Sequence, residues 1–240
     1  MKSLSSPQRP LSAGGVLWQW IPPSSDPGES WQWCRVYHRS VHTPDGATFR
    51  SFGPFSRFDH HTPNPPALDP DGRSVLYVAD NLATAASEVF GEAGVAQICP
   101  NHRVSIVEPT TSLDMLDLAG PGSALAIGAL PSLAQGAEPR ASTQEWARAI
   151  FEDQPAGELG STNCAVDSVS GIHYRTAYGD GDALALWDCS SSVRIRTDAA
   201  GNNLDHPLQH PSLLRRLQVE MWRRRIQVDT IPESACASCH

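Results

Sequence analysis

Apolar and polar positions change period along the chain, and each change marks an element. After the turn Asp-Pro-Asp-Gly, the run Val75-Leu-Tyr-Val78 has the β-branched and apolar character of a strand. Asp80 and Asn81 then cap an amphipathic helix whose apolar positions are Leu82, Ala85, Ala86, Val89 and Phe90. Glu88 falls about two turns into it. Ser142-Thr-Gln-Glu145 has the form of a capping box, with Trp146, Ala149 and Ile150 as the buried face that follows. Strands around 172–177 and 183–188 are joined by Tyr178-Gly-Asp-Gly-Asp182, a hairpin turn. Between 94 and 135, short runs such as Val104 to Val107 alternate with Gly/Pro turns and one helix. Residues 211–228 predict a second amphipathic helix, with Leu214, Leu217 and Met221 on one side and arginines on another.

The remaining stretches set the boundaries. Residues 1–30 are rich in Ser, Pro and Gly and carry Trp18, Trp20 and Ile21 as an apolar anchor, so they are expected to lie across the domain as an extension. Residues 59–74 read as a Pro- and Asp-rich loop leading into the central strand. The expected organisation is an extension over 1–30, a main domain over 31–205, and a C-terminal helix and tail over 206–240.

Length and charge narrow the function classes. A chain of 240 residues buries a full core as one decorated domain. No apolar run is long enough to span a bilayer, and the start of the chain has no continuous apolar segment of the signal-peptide kind. A cytoplasmic protein with its six cysteines as reduced thiols, and no membrane partner, is the expectation. The net charge of −8 argues against a general nucleic-acid binder. It leaves room for a nucleotide, because a few arginines inside a cleft suffice to hold a pyrophosphate. Arg215, Arg216, Arg223, Arg224 and Arg225 read as a solvated basic face.

Several residues carry chemistry by type. A carboxylate on a half-buried helix face, such as Glu88, is costly to desolvate unless it has a partner or a task; the plainer reading puts it at the solvent margin. Arg35 could pair with an acid across a sheet, and Tyr77 and Thr176 are ordinary strand residues by themselves. Cys236-Ala-Ser-Cys-His240 spells the haem-attachment pattern, but at the terminus of a chain expected in a reducing compartment it reads better as an adventitious metal site or an inert frayed tail, and no metal is assigned. His60-His61 beside Asp59 lacks a spaced further ligand, so no metal is assigned there. Cys164 and His173 could form a nucleophile–base pair, though no third orienting residue is evident.

The order of motifs adds a further reading. Cys34-Arg-Val-Tyr37, Phe52-Gly-Pro-Phe-Ser-Arg-Phe-Asp59, the 75–90 unit, Thr143-Gln-Glu-Trp-Ala-Arg-Ala-Ile150 and Gly171-Ile-His-Tyr-Arg-Thr-Ala177 follow one another as in the RES-domain family, which the chain resembles over roughly 31–195. The resemblance maps the family's two arginines to Arg35 and Arg57, its tyrosine and glutamate to Tyr77 and Glu88, and its serine to Thr176. The chain departs from the pattern in lacking a glycine pair before Arg57 and in carrying Thr for Ser.

The family is similar to ADP-ribosyltransferases. That similarity implies an α+β fold with a split, mostly antiparallel sheet pair around a nucleotide cleft and helices outside. It also implies an enzyme that takes NAD as substrate and breaks the nicotinamide–ribose bond by hydrolysis or phosphorolysis. Glu88 and Arg35 would be its catalytic residues, and Arg57, Tyr77 and Thr176 would contact NAD. A toxin paired with a small helical antitoxin is implied as well. ADP-ribosyl transfer to a macromolecule and a catalytically silent binding module are the alternatives.

Overall fold

The computed structural model describes residues 4–23, 33–136, 138–154, 168–178 and 181–239. Its centre is built from two strands with side chains buried on both faces, β5 (Val75–Ala79) and β10 (Asp182–Trp187). They pair antiparallel, Ala183 opposite Ala79 and Trp187 opposite Val75. Alternation sends Val75, Ala79, Ala183, Ala185 and Trp187 into the larger core and Leu76, Val78, Leu184 and Leu186 into the smaller one. Burial on both faces is why these segments read as continuous apolar runs. Truncating Leu184, fully buried, to alanine would cost about 2–5 kcal/mol.

The other strands are β1 (Leu17–Trp20), β2 (Cys34–His38), β3 (Phe52–Gly53), β4 (Ala67–Leu68), β6 (Val95–Ile98), β7 (His102–Pro109), β8 (Leu113–Asp117), β9 (Gly171–Arg175), β11 (Val193–Ile195), β12 (Asp205–Pro207) and β13 (Gln227–Thr230). Seven of them join β5 and β10 in one nine-stranded sheet in the order β1-β8-β9-β10-β5-β2-β7-β11, with β12 also on β7. All its pairings are antiparallel except β8 with β9. The architecture is therefore α+β, with a large, mixed, mostly antiparallel sheet. Between β5 and β2 the register holds a single pair, Cys34 with Ala79. The sheet is joined there by one step, at the start of β2 and the end of β5, and the rest of the two strands part from one another.

Helices α1 (Leu82–Phe90), α2 (Ser123–Ala126), α3 (Arg140–Asp153) and α4 (Pro211–Arg223) add the outer layer. Asn81 caps α1, its side chain accepting from the Thr84 amide at 2.9 Å. Leu82, Ala85, Ala86 and Phe90 are buried as the apolar spacing predicts, but Val89 is exposed. Two boundaries differ from the sequence reading. Helix α3 begins at Arg140 after Pro139, which places Ser142-Thr-Gln-Glu145 inside the helix and not at its start. Proline already fixes the backbone for entry there, and no side-chain cap forms. Helix α4 ends at Arg223, and Arg225 adopts a left-handed conformation (φ 59°) that turns the chain into β13, parallel to β6.

Trp146, Ala149 and Ile150 of α3 are buried. The indole of Trp146 donates to the Ser5 carbonyl at 2.9 Å, and Leu4 and Leu11 join the same core. The N-terminal segment also supplies β1, which pairs with β8. No helix among the described residues is long and apolar enough to cross a membrane.

Candidate active site

Where β2 and β5 part, a cleft of about 660 Å³ opens, and Arg35, Arg50, Arg57, Tyr77, Glu88 and Tyr174 are among its lining residues. Its volume suits a ligand larger than a single nucleotide base. Four of the five residues singled out by sequence thus surround one cleft. Thr176 stands behind it: its backbone and hydroxyl both donate to the Gly181 carbonyl (3.1 and 3.2 Å) in the turn between β9 and β10.

Glu88 reaches the cleft from α1. Its Oε1 accepts from the backbone N–H groups of Ala177 (2.8 Å) and Tyr178 (3.2 Å). Oε2 takes no hydrogen bond among the described residues. Burial raises the Glu88 carboxyl above its ordinary range, opposed by the two amides and the nearby Arg57 cation. The strand-to-turn segment 176–178 therefore aims one oxygen and leaves the other open. Gly136 permits this crowding. A Cβ there would lie 2.6 Å from that of Ala177 and 2.9 Å from Nη1 of Arg57, and its φ of +76° suits glycine.

Arg35 projects from β2 with its Nη1 donating to the carbonyls of Gly46 (3.3 Å) and Thr48 (2.7 Å). No acid among the described residues forms an ion pair with it, so the cross-strand pairing considered from sequence does not occur. Burial pulls its guanidinium down to about 10, which leaves it cationic at neutral pH. Arg57 donates to the carbonyls of Leu133 (3.1 Å) and Arg175 (3.4 Å), and its plane lies over the rings of Phe58 and Tyr174. Its Nε is buried without a partner. Both guanidiniums are thus held by neutral carbonyls, and neither forms an ion pair among the described residues.

The sequence reading missed the group that holds the opposite wall. Asp59 is fully buried; it pairs with Nη2 of Arg50 at 2.7 Å and accepts from the Tyr77 hydroxyl at 2.8 Å and from the amides of Phe55 and Ser56. The Tyr77 hydroxyl in turn accepts from the Phe58 amide at 3.1 Å. Burial and the Asp59 charge raise its phenol well above the usual value. Tyr77 therefore offers the cleft its ring and not its hydroxyl. A buried Asp ahead of two histidines was visible in the motif, but its partners lie 9 and 18 residues away and no local pattern names them.

The other candidates fall elsewhere. His60 pairs with Asp188 (3.2 Å), and His61 contacts the Arg50 carbonyl, so the two histidines serve different neighbours. His173 bonds Asp117 (3.0 Å) and stacks on Trp18; Cys164 lies outside the described residues.

A family model described as the RES domain matches residues 32–208, and the chain belongs to that family. No curated protein and no solved structure matches the chain.

Proposed function

We propose that the cleft binds NAD and that the protein splits the bond between nicotinamide and ribose. The observation that carries this reading is Glu88: a desolvated carboxylate with one oxygen aimed by two amides and the other open, in a cleft that Arg35 and Arg57 also line. The RES resemblance supplies the substrate, and the parting of β2 from β5 supports an ADP-ribosyltransferase-like split of the sheet around it.

In this reading Arg35 and Arg57 hold the pyrophosphate with forked donors, and Tyr77 presents a flat face to the ribose or nicotinamide. The C–N bond breaks with its electron pair leaving on neutral nicotinamide. The positive charge that develops on the ribose is stabilised by the Glu88 carboxylate. Water then adds through an oxygen lone pair and releases its proton to solvent, giving ADP-ribose; phosphate as acceptor gives ADP-ribose phosphate. Thr176 acts by position, holding the turn whose next two amides fix Glu88. The same resemblance supports reading the chain as the toxin of a pair with a small helical antitoxin.

Incubating the full chain with NAD, with and without phosphate, and separating the products tests the proposal. Nicotinamide should appear in equal amount to ADP-ribose or its phosphate. Intact NAD after prolonged incubation with folded protein would overturn the reading. Labelled macromolecules in place of free ADP-ribose would shift it to transfer.

A further inference from the structure

The C-terminal tail is folded back onto the domain, and its cysteines meet residues from two other elements. Strand β13 runs beside β6 as far as Thr230 opposite Ile98, and the Ile231 amide donates to the Ile98 carbonyl at 3.0 Å. Gln209 reinforces this point, donating to the carbonyls of Ile98 (2.9 Å) and Ile231 (3.5 Å). The chain then passes through two short turns, Glu233–Ala235 and Ala237–Cys239, over the connection between β6 and β7. Cys99 lies in that connection, and His38 is the last residue of β2.

We propose that His38, Cys99, Cys236 and Cys239 form a tetrahedral structural Zn²⁺ site that pins the C-terminal tail to the end of β2. Their four ligand atoms all lie within 4.8 Å of one another. Nε2 of His38 is 3.1 Å from Sγ of Cys239 and 3.7 Å from Sγ of Cys236, and the sulfurs of Cys99 and Cys239 are 3.7 Å apart. Tetrahedral zinc with ordinary bond lengths requires edges of about 3.8 Å between sulfurs and about 3.5 Å between sulfur and nitrogen. Three of the six edges are within about 0.4 Å of those dimensions and the other three are no longer than 4.8 Å, so an ion needs only side-chain adjustments to bind.

The donor set and its surroundings fit the ion. Three thiols and an imidazole, with no carboxylate, favour zinc over magnesium or calcium, which prefer oxygen. Cys236 and Cys239 have the two-residue spacing common in structural zinc sites. N–H groups also point at the sulfurs: the side-chain amide of Asn101 at Cys239 (3.5 Å), and the backbone of Ser238 and Cys239 at Cys236. Donors of this kind stabilise thiolates and orient them. Binding converts the thiols to thiolates and releases their protons to the buffer. Haem attachment, by contrast, needs both cysteines free to form thioethers, and here they are turned onto His38 and Cys99; His240 lies outside the described residues.

The site would tie positions 38, 99 and 239 together, which are distant in sequence. It would fix the far end of the strand that carries Arg35. His38 also lines the cleft, but metal content is read without NAD, so it tests the site separately from NAD turnover.

The test uses the full chain, without a histidine tag, purified in reductant and exchanged against excess Zn²⁺ before free metal is removed. Plasma mass spectrometry should then find about one zinc per chain. Replacing Zn²⁺ by Co²⁺ should give sulfur-to-cobalt charge transfer and the visible bands of a tetrahedral ion. The double variant Cys236→Ser/Cys239→Ser should lose the metal, whereas Cys189→Ser, outside the cluster, should keep it. His38→Cys should retain zinc through four sulfurs and His38→Ala should not. Wild-type protein without bound zinc, octahedral cobalt spectra, or undiminished zinc in the double variant would overturn the proposal. So would a Cys99–Cys239 disulfide as the persistent form in reductant. The cobalt spectrum is read on the wild-type chain, so it decides the matter even if a variant fails to fold.

Discussion

Asp59, fully buried beneath Tyr77, and Glu88, half-buried in the lining of the cleft, are two carboxylates treated in opposite ways. Asp59 is satisfied on all sides by Arg50, Tyr77 and two amides. Glu88 has donors on one oxygen only, and burial holds its carboxyl above the ordinary range. A fully paired carboxylate is a structural part. One kept desolvated and half-paired retains electrostatic potential for a ligand. The residues around Asp59 therefore serve the shape of the cleft, and in the proposed reading those around Glu88 would serve its chemistry.

The largest effect expected from breaking this contrast is on stability. Asp59→Asn puts an amide donor against Arg50 and the Phe55 and Ser56 amides. It should cost about 3 kcal/mol in urea unfolding, at the low end for a broken buried pair because Arg50 keeps some solvent access. Glu88→Gln, which still accepts from both amides, should unfold within about 0.5 kcal/mol of wild type. Equal losses in the two variants would erase the distinction.

Arg35→Lys comes next. It preserves charge but loses the fork that spans a pyrophosphate and the Gly46 and Thr48 carbonyls. NAD affinity, measured by titration, should fall about tenfold, or roughly 1.4 kcal/mol. An unchanged Kd would reduce Arg35 to a loop anchor.

Thr176 separates its two walls more finely. Thr176→Ser keeps the bond to Gly181, whereas Thr176→Val loses it, at about 0.5–1.5 kcal/mol. Because the Ala177 and Tyr178 amides follow directly, the valine variant should also turn over NAD more slowly than the serine variant. Equal turnover at matched folded fraction would show that the hydroxyl does not position Glu88.

The smallest effect is on pH dependence. In the proposed mechanism Glu88 acts as its anion, and burial raises its folded-state pKa above the ordinary 4.5. Activity should be present above that raised value and fall away as pH drops through it. The acid limb of the turnover profile should therefore lie above 4.5 in wild type. An acid limb at or below that value would remove Glu88 as its source.

Local signals were legible in the sequence. The turn before Val75, the Asn81 cap and the apolar runs at 75–78 and 183–187 are read from neighbouring residues, and the structure has those elements. The mismatches arise where a distant partner decides. Pro139 starts α3 earlier than the Ser142 pattern suggests, and pairing with β6 draws 227–230 out of a helical period into a strand. Motif order brought Arg35, Arg57, Tyr77 and Glu88 to one cleft. It could not reveal that Asp59 holds Arg50 and Tyr77, or that His38 and Cys99 meet the terminal cysteines, because those contacts form only when the chain folds.

NAD turnover by Glu88→Gln, at a folded fraction matched to wild type, tests the central contrast most directly. The substitution removes the charge and little else. Turnover should fall by about a hundredfold or more while the NAD affinity stays near that of wild type. Turnover equal to wild type in the folded variant would contradict the account, because the open oxygen of Glu88 would then have no part in the chemistry.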